Sequence, residues 1–416
     1  MEGPHGEASP RSEAEVRKEI ARLAEMRAVH AAFAWFRVKE RVISDLQMEV
    51  TGVPAPPFGE DERGEWLERK FRETGLQDVR RDEIGNVLGI REGVNPVFPL
   101  LAISAHIDTV FPAGTPIRVR REGDRLFGPG VSDNGAGISG MLALILGMNE
   151  AGLRTTAPLL FIGNVGEEGE GDLRGIRHIF AQEKWRERIG RLLVLDGAGT
   201  DSIVSQALGS RRFEVTVRGP GGHSWSDFGL PNPIVVLAQA IERFGRTPVP
   251  AHPKTTFNVG IIEGGTSINS IPERVTMRVD LRSAAGAEID RLETALRTAM
   301  EETIAHSQGE RRAGRPALGY EIRPIGSRPA AELPESARMM QVVRAVDDHL
   351  NIEATVHRAS TDANIPLSMG IEAVAIGAGG TGGGAHTVHE WHDPAGRDLA
   401  LKRILLTTLA LAGVAE

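Results

Sequence analysis

The sequence predicts an α/β protein with a mixed, mostly parallel sheet flanked by helices, into which a smaller α+β domain is inserted. Apolar strand-like runs alternate with helix-like segments up to about residue 200, which is typical of such a sheet. The pattern changes to half-exposed strands near Gly209, and the first pattern returns afterwards. We therefore expect a larger domain that comprises residues 13–209 and 326–416, and an inserted domain that comprises residues 210–325.

The N-terminal part of the chain is predicted to be helical. From about Ser12, apolar residues recur at helical spacing and predict one long helix. They are Val16, Ile20, Leu23, Val29, Phe33 and Phe36. A proline-rich loop at 53–58 follows, and then a second helix at about 61–74, which Gly75 ends.

The next segments supply the sheet of the larger domain. Buried strands are predicted at 97–107, 159–165 and 192–195, and helices lie between them at about 137–150 and 173–182. After the insertion, a helix at about 336–349, a strand at 373–376 and a C-terminal helix complete this domain.

The inserted domain has the order strand, helix, two strands, helix, strand. The segments are 213–217, 233–244, 257–262, 275–281, 286–306 and a short strand near Tyr320. Apolar and polar residues alternate along 275–281, so one face of this strand is buried and the other is open. The order predicts a ferredoxin-like α+β sandwich whose sheet has one open face.

The composition excludes several classes of protein. Of the 416 residues, 41% are hydrophobic and 25% are charged, and the net charge is −8. These values are typical of a globular protein, and the charge does not favour nucleic acid as a partner. No apolar stretch reaches the ~18 residues of a membrane span, and the first residues lack the apolar core of a secretory signal. We expect a cytoplasmic protein without membrane partners. Cysteine is absent, so His, Asp or Glu must hold any metal.

Acidic and imidazole side chains follow three of the predicted strands. His106 and Asp108 end the first strand, Glu167 and Glu168 end the second, and Asp196 ends the third. Ligands of open α/β sheets bind beyond the carboxyl ends of the strands. We therefore expect these side chains to converge on one crevice.

Two further residues extend this set. Asp133 lies in a loop that leads into a predicted helix, and His386 follows the last apolar strand. With His106, Glu168 and Asp196 they offer two imidazoles and three carboxylates, which suit two divalent ions, zinc first and manganese or cobalt next. Two ions about 3.5–4 Å apart can share a carboxylate and a water whose pKa they lower toward ~7.

Each of these residues also has an ordinary interpretation. Asp133 alone can be a helix cap or a turn residue, and Glu167 with Glu168 can be a solvated acidic pair. The metal interpretation depends on the joint pattern, in which the ligand-type residues lie at the strand ends of one apolar α/β frame.

The motifs around these residues resemble those of the M20 metallopeptidases, which include tripeptidases, dipeptidases, carboxypeptidases, aminoacylases and desuccinylases. The matching segments follow the family's order over nearly the whole chain. They are Ala105-His106-Ile107-Asp108-Thr109-Val110, Gly128-Pro129-Gly130-Val131-Ser132-Asp133-Asn134-Gly135, Gly166-Glu167-Glu168-Gly169, Asp196-Gly197 and Gly384-Ala385-His386-Thr387. The resemblance implies a zinc-peptidase-like catalytic domain, with the inserted domain as its lid or dimerisation domain.

The resemblance also implies two metal sites that share one ligand. One site consists of His106, Asp133 and Asp196. The other consists of Asp133, Glu168 and His386, so that Asp133 bridges the two ions.

Two neighbouring acids receive supporting roles from the resemblance. Glu167 matches the family's general base, and Asp108 matches an acid that orients His106. Residues i and i+2 of a strand share a face, which independently places Asp108 beside His106. A shifted register of the last motif would make His389 the ligand in place of His386.

In the inserted domain, the resemblance implies residues that contact the substrate. His223, in Gly221-Gly222-His223-Ser224, matches a lid histidine that steadies the oxyanion, often across a dimer. Asn269 and Arg282 match residues that grip a substrate carboxylate or carbonyl, a task that suits a guanidinium. Ser360, in the segment 360–364, is expected to face the substrate. His223 can instead be a turn residue, and Arg282 a solvated charge.

These observations predict a hydrolase with two divalent metal ions that cleaves amide bonds of small peptides, as a di- or tripeptidase does. An N-acyl amino acid deacylase or a carboxypeptidase would use the same centre, so the motifs leave these alternatives open. The open sheet face of the inserted domain and its lid histidine favour a homodimer. A non-catalytic binding protein of this fold is the remaining alternative, which the presence of Glu167 and all five ligands disfavours.

Overall fold

The computed structural model describes residues 12–309 and 317–415. Two compact units divide them. One contains the residues up to Ala207 together with those from Glu332 onward, and the other is Leu208–Ala331. The second boundary lies beyond the expected residue 325 because the last long strand of the smaller unit continues to Arg328.

Twelve α-helices lie within the described residues. In chain order, α1 to α12 are Glu13–Ala24, Arg27–Val38, Glu40–Gly52, Asp61–Glu73, Gly135–Glu150, Arg174–Ala181, Glu183–Arg186, Pro233–Gly245, Gly286–Gly309, Arg338–Leu350, Asn364–Ser368 and Arg397–Ala412.

Nineteen strands accompany them in the same part of the chain. In chain order, β1 to β19 are Gln77–Arg81, Val87–Arg91, Leu100–His106, Arg120–Glu122, Arg125–Phe127, Leu159–Asn164, Ile189–Leu195, Ser202–Ala207, Gly209–Arg218, Gly222–His223, Thr255–Gly264, Ser270–Ile271, Arg274–Ser283, Gly319–Arg328, Ala331–Glu332, Thr355–Ala359, Glu372–Ile376, Thr381–Gly383 and Trp391–Asp393.

A mixed sheet forms the centre of the larger unit, as predicted, and it has nine strands. Its strands lie in the order β1-β2-β6-β3-β7-β17-β8-β15, and β16 pairs with β8. β3 runs parallel to β6 and β7, and β17 runs parallel to β7. The carboxyl ends of these four strands therefore meet at one edge of the sheet, where ligands of such sheets bind.

Fully buried strands and helices form the core of the larger unit. β3 and β6 are buried along their whole length, and α5 is buried on nearly every side. α5 and α12 pack against β3, α10 packs against β17, and α4 packs against β1 and β2. Because both faces of β3 and β6 are covered, these strands are mostly apolar in the sequence up to their carboxyl ends.

The prediction of one long N-terminal helix is wrong, since the segment forms α1, α2 and α3. Met26, between α1 and α2, is extended, with φ −65° and ψ 132°. α1 packs against α10 and α12, whereas α2 packs against α5 and α12. Each helix buries its own apolar stripe, so the helical spacing in the sequence continues although the chain changes direction.

Two strands at one side of the larger sheet, β8 and its neighbour β16, were harder to predict than the centre of the sheet. β16 is half-buried to exposed, and β8 alternates half-buried and buried residues. Neither has the apolar run that marks β3 or β6, and neither was predicted. No helix within the described ranges is both long and apolar enough to cross a membrane.

The smaller unit has the predicted order of strands and helices. Its four long strands pair antiparallel in the order β11-β13-β9-β14. α8 and α9 pack on this sheet, and a buried apolar cluster fills the space between them, with Phe213, Val215 and Val217 from β9 among its members. β14 has ten residues, so it is longer than the short strand predicted near Tyr320.

Candidate metal centre

The carboxyl ends of three neighbouring strands place the first residues of the site. His106 is the last residue of β3, and Asp196 follows β7 directly. Glu167 and Glu168 come shortly after β6, whose last residue, Asn164, pairs with His106. Because β3 lies between β6 and β7, the imidazole and the carboxylates reach the same edge of the sheet.

One imidazole and two carboxylates form the first group of candidate metal ligands. Nε2 of His106 lies 3.0 Å from Oδ1 of Asp133 and 3.7 Å from Oδ1 of Asp196. The His106 side chain is only 1% exposed, whereas Asp133 and Asp196 retain partial exposure. An ion from solvent can therefore reach this group past Asp133 and Asp196.

The second group uses the other oxygen of the same aspartate. Nε2 of His386 lies 3.1 Å from Oδ2 of Asp133 and 3.0 Å from Oε1 of Glu168. His386 has a φ of 64°, in the left-handed region, and its side chain is 56% exposed. Asp133 thus lies between two imidazoles and directs one oxygen to each.

Four of the ligand-type side chains, His106, Asp133, Glu168 and His386, have shifted pKa values. Burial lowers the pKa of His106, but its contacts with Asp108, Asp133 and Asp196 raise that pKa well above its usual value. The contact with Asp133, and then the charge of Glu168, raises the pKa of His386 to about 9. Burial raises the pKa of Asp133, but the two imidazoles lower it below its usual value.

Glu168 shows the opposite balance, since burial and the nearby Asp133 charge raise its pKa. Without a metal ion, protons on the two imidazoles supply the positive charge that balances the neighbouring carboxylates. A divalent cation supplies the same positive charge, so it competes directly with those protons.

The donor set fits divalent metal ions. Ligand atoms of His106, Asp133 and Glu168 all lie within 4.8 Å of one another. Imidazole and carboxylate donors together suit zinc, and also manganese and cobalt. His106 and Asp196 on one side of Asp133, and Glu168 and His386 on the other, would complete two sites with Asp133 shared.

Asp108 contacts one of the ligand-type residues, His106, and the backbone of Glu167 and Glu168. It is fully buried, its backbone oxygen lies 3.2 Å from Nδ1 of His106, and its Oδ1 lies 3.6 Å from the same atom. Its carboxylate also accepts the backbone N–H groups of Glu167 and Glu168, at 2.9 and 2.8 Å. Burial raises the pKa of Asp108, but His106 and these two N–H donors lower it below the usual value.

Glu167, the candidate general base, is 6% exposed. Its backbone is held by Asp108, next to the ligand Glu168.

The ring of His386, rather than that of His389, reaches Asp133 and Glu168. His389 is exposed, and its backbone N–H is donated to Oγ1 of Thr387. His392 is buried and contacts the carbonyl of Gly379. The geometry therefore favours the register in which His386 is the ligand.

Three buried polar residues of the site were not predicted from the sequence. Asn134 accepts the N–H groups of Gly137 and Gly197 and donates to the carbonyl of Leu195, which ties the Asp133 loop to the end of β7. Gly137 is required here, because a Cβ would lie 2.1 Å from Oδ1 of Asn134. A capping Asn before a helix was the one signal in the sequence for this role.

Glu390 and Asp362 are the other two buried polar residues that were not predicted. Glu390 is fully buried and accepts the N–H groups of Gly130, Ser132 and Asp133. Burial raises its pKa to about 7, although these three donors oppose the rise. Its place four residues after His386 was visible in the sequence, but its burial was not.

Asp362 lies in the segment expected to face the substrate. It is fully buried, and its Oδ2 accepts a hydrogen bond of 2.7 Å from Nδ2 of Asn164, the last residue of β6. Burial raises the pKa of Asp362 to about 7, while the charge of His106 opposes the rise. Ser360, two residues earlier, is half-buried, so the segment 360–364 packs against the end of β6 with its acid inward.

The smaller unit brings two of its three predicted residues together. β10 and β12 pair, so that His223 lies opposite Ser270, and Ser224 donates its N–H to the carbonyl of Asn269. Nδ1 of His223 accepts the backbone N–H groups of Trp225 and Ser226 at 3.2 and 3.4 Å. The proton of the neutral ring is therefore on Nε2, which can donate a hydrogen bond outward.

Arg282 lies away from this pair. It is near the end of β13, and its Nε donates to Oδ2 of Asp280 at 2.6 Å. His223 and Asn269 lie beyond the opposite end of β13, which begins at Arg274. Arg282 comes eight positions after Arg274, which along an extended strand is a distance of about 26 Å.

Comparison with known proteins gives a family match. The model of peptidase family M20/M25/M40 matches residues 102–409, which is well over half of the chain.

Curated relatives share parts of the sequence. The chain is 33% identical over 121 residues to a putative LysW-lysine/LysW-ornithine hydrolase of Pyrococcus abyssi, a match to 29% of this chain and 32% of that protein. It is 26% identical over 241 residues to carboxypeptidase G2 of a Pseudomonas species, a match to 55% of each chain. The chain thus spans about a third to a half of the length of these relatives.

Solved structures share the fold over most of their length. The aminopeptidase PepT of Bacillus cereus superposes with a TM-score of 0.72 at 20% identity, over 90% of this chain and 99% of that one. The YXEP protein of Bacillus subtilis, described as a dinuclear metal binding peptidase, gives a TM-score of 0.66 at 14% identity, over 91% and 100%.

Proposed function

The chain belongs to peptidase family M20/M25/M40, and from this premise we propose that it is a two-metal hydrolase that cleaves an amide bond in a small peptide. One observation carries the proposal. The carboxylate of Asp133 directs its two oxygens to two imidazoles, at 3.0 Å from His106 and 3.1 Å from His386. A carboxylate so placed is suited to bridge two ions.

His106, Asp133 and Asp196 would hold one ion, and Asp133, Glu168 and His386 the other. Zinc is the expected metal, with manganese or cobalt as alternatives, because the donors are imidazoles and carboxylates. When bound, such ions supply Lewis-acid chemistry, which activates a water toward deprotonation and polarises a carbonyl.

The chain's own residues would carry the proton. Glu167 takes a proton from the attacking water and later returns it to the amine that leaves. Asp108 holds Glu167 and Glu168 through their backbone and faces His106, so that base and ligands keep one relative position. The Nε2–H of His223 would donate a hydrogen bond to the oxyanion that develops on the cleaved carbonyl.

The separation inside the smaller unit supports a homodimer. A di- or tripeptide is about 10 Å long when extended, whereas Arg282 lies about 26 Å from the end of β13 near which His223 and Asn269 lie. A single copy therefore does not bring all three residues to one small substrate. Two copies do so if Arg282 serves one active site while His223 and Asn269 serve the other.

Exposed apolar side chains beside His223 agree with this proposal. Trp225 and Phe228 are each 86% exposed, and Ile268, next to Asn269, is fully exposed. Exposed apolar side chains that lie near one another are typical of surfaces that a partner covers.

Two versions of the proposal differ in the bond that is cleaved. A tripeptidase of Staphylococcus aureus and the di-peptidase Dug1p of Saccharomyces cerevisiae share the fold, which favours a di- or tripeptide as the substrate. The partial identity to carboxypeptidase G2 favours the removal of a C-terminal amino acid, and the deacylation of an N-acyl amino acid would use the same centre. Because the catalytic centre is the same in both, Ser360 and the lid residues would decide between them.

A substrate panel tests the proposal. The purified protein, loaded with zinc, manganese or cobalt, is assayed on dipeptides, tripeptides, N-acyl amino acids and peptides with a C-terminal glutamate. We expect hydrolysis of small peptides that a chelator abolishes and added metal restores. Hydrolysis that survives removal of all metal, or no hydrolysis of any amide in the panel, would contradict the proposal.

A further inference from the structure

We propose that Glu390 is a positioning residue that fixes the spacing between the bridging Asp133 and His386, and that the metal affinity of the centre depends on it. The inference rests on the proposed two-metal function, which it extends to a residue outside the ligand set. Glu390 itself has no ligand role, because both of its oxygens face the backbone of another loop.

The contacts of Glu390 hold the loop that carries Asp133. Its Oε1 accepts the N–H groups of Ser132 and Asp133, and its Oε2 accepts that of Gly130, each at 2.7 Å. The carbonyl of Glu390 also accepts the N–H of Gly128, at 3.0 Å. A buried carboxylate that accepts three N–H groups makes strong hydrogen bonds, and it leaves Asp133 little freedom to shift.

The backbone of Glu390 is joined to His386 by a short folded segment. Its N–H is donated to the carbonyl of Thr387, and the N–H of Thr387 is donated to the carbonyl of Gly384. His386, inside this segment, then lies 3.1 Å from Oδ2 of Asp133. Glu390 thus connects the two ligands that face each other across the second candidate metal site.

A second buried side chain holds the Asp133 loop, and it binds a carbonyl of the loop. Nε2 of Gln47 donates to the carbonyl of Val131 at 2.5 Å, and Arg397 donates to Oε1 of Gln47. Glu390 accepts from the N–H groups of the loop, while Gln47 donates to one of its carbonyls. The loop is therefore fixed by buried side chains on both kinds of backbone group.

A carboxylate is required at position 390 by this geometry. Both oxygens act as acceptors, so a glutamine would place an NH₂ group against a backbone N–H of Gly130, Ser132 or Asp133. That residue of the loop would have to move, and Asp133 would move with it. Loss of a residue that supports a metal ligand typically reduces metal affinity about 10–100-fold.

The test measures metal binding by Glu390→Gln and Glu390→Asp beside a matched control. Asp347→Asn breaks another buried contact of the larger unit, the ion pair with Arg403, which lies outside the ligand set. Zinc affinity and stoichiometry are measured by competition with a chromogenic chelator, and the visible spectrum of the cobalt-loaded protein reports ligand geometry. Thermal unfolding in excess chelator reports the stability of the metal-depleted protein.

We expect Glu390→Gln to bind zinc at least about 10-fold more weakly than the wild type and to change the cobalt spectrum. Asp347→Asn should unfold at a lower temperature yet keep wild-type zinc affinity, and Glu390→Asp should fall between the wild type and Glu390→Gln.

Wild-type zinc affinity and cobalt spectrum in Glu390→Gln would overturn the inference, as would an equal loss of affinity in Asp347→Asn. If Glu390→Gln does not fold, Glu390→Asp decides. Wild-type zinc affinity in Glu390→Asp overturns the inference, and reduced zinc affinity supports it. A wild-type protein that binds no zinc, manganese or cobalt overturns the two-metal proposal itself, which is a different result.

Discussion

Oδ1 of Asp108 accepts a hydrogen bond of 2.9 Å from the backbone N–H of Glu167. The other oxygen accepts the N–H of Glu168, and the same carboxylate lies 3.6 Å from Nδ1 of His106. One buried acid therefore couples the candidate base, a ligand from the loop after β6, and the ligand that ends β3. The relative position of base and ligands is set by the backbone rather than by mobile side chains.

Replacement of Glu167 by glutamine should separate metal binding from turnover. The backbone bond to Asp108 does not depend on the side chain, so Glu167→Gln should bind as much zinc as the wild type. A glutamine cannot accept the proton of the attacking water, and kcat should fall about 10²–10⁴-fold. Metal analysis and kcat on a cleaved peptide check this, with the exposed Glu170→Gln as the matched control. Wild-type turnover in Glu167→Gln would remove Glu167 from the mechanism.

Replacement of His386 should cost one metal ion, whereas replacement of His389 should not. Nε2 of His386 faces Asp133 and Glu168, so His386→Ala removes a ligand from the second site only. Zinc stoichiometry should fall from about two ions to about one, and activity should fall strongly, since both ions act in such centres. His389→Ala and the exposed His357→Ala should keep two ions. Loss of an ion in His389→Ala alone would show that the shifted register is correct.

A mixture of two inactive variants should recover activity if the active site is shared between two copies. His223→Ala lacks the lid imidazole, and Arg282→Ala lacks the guanidinium at the other end of β13. A mixed dimer has one site with both residues intact and one site without either, so random reassociation should restore about a quarter of wild-type activity. Mixing is done after dissociation at low protein concentration, and each variant alone is the control.

No recovery in a mixture whose dimers have exchanged would contradict the shared site. A protein that sedimented as a monomer at full activity would contradict it as well. Recovery requires that His223 and Arg282 of one copy serve different sites, which their separation along β13 already favours.

The centre of the fold was predictable from the sequence for a physical reason. β3, β6 and β7 lie between other strands, and the stretches that lead to their carboxyl ends are buried and mostly apolar, so the polar residues at those ends stand out. The sequence alone therefore places His106 and Asp196 at the same edge of the sheet. The break at Met26 and the edge strand β16 leave no comparable pattern, because they depend on which neighbour each segment packs against.

The supporting residues of the site were less predictable than its ligands. Glu390 and Asp362 are acids in loop-like segments, where a sequence pattern suggests solvent exposure. Both are fully buried because distant segments close over them, the 130–133 loop in one case and the end of β6 in the other. Such burial follows from tertiary contacts, so neither local spacing nor composition reveals it.

His392 should make the stability of the protein depend on pH. It is fully buried, and burial, followed by the charge of Arg397, lowers its pKa to about 3. In the unfolded chain an imidazole has a pKa of about 6.5. Between these values the unfolded chain binds a proton that the folded protein does not, so the free energy of unfolding falls as the pH falls below about 6.5.

Replacement of His392 by glutamine should remove this pH dependence, which amounts to at most about 3 kcal/mol of lost unfolding free energy between pH 7.5 and pH 4.5. An amide can still donate to the carbonyl of Gly379, as Nε2 of His392 does, but it does not titrate. We expect His392→Gln to be less stable than the wild type at pH 7.5 and to approach it, or exceed it, near pH 4.5.

The free energy of unfolding is measured in urea with excess chelator, so that the metal ligands titrate alike in both proteins. The exposed His357→Gln is the control and should follow the wild type at every pH. A stability difference between wild type and His392→Gln that stayed constant from pH 7.5 to 4.5 would show that His392 keeps an ordinary pKa when folded.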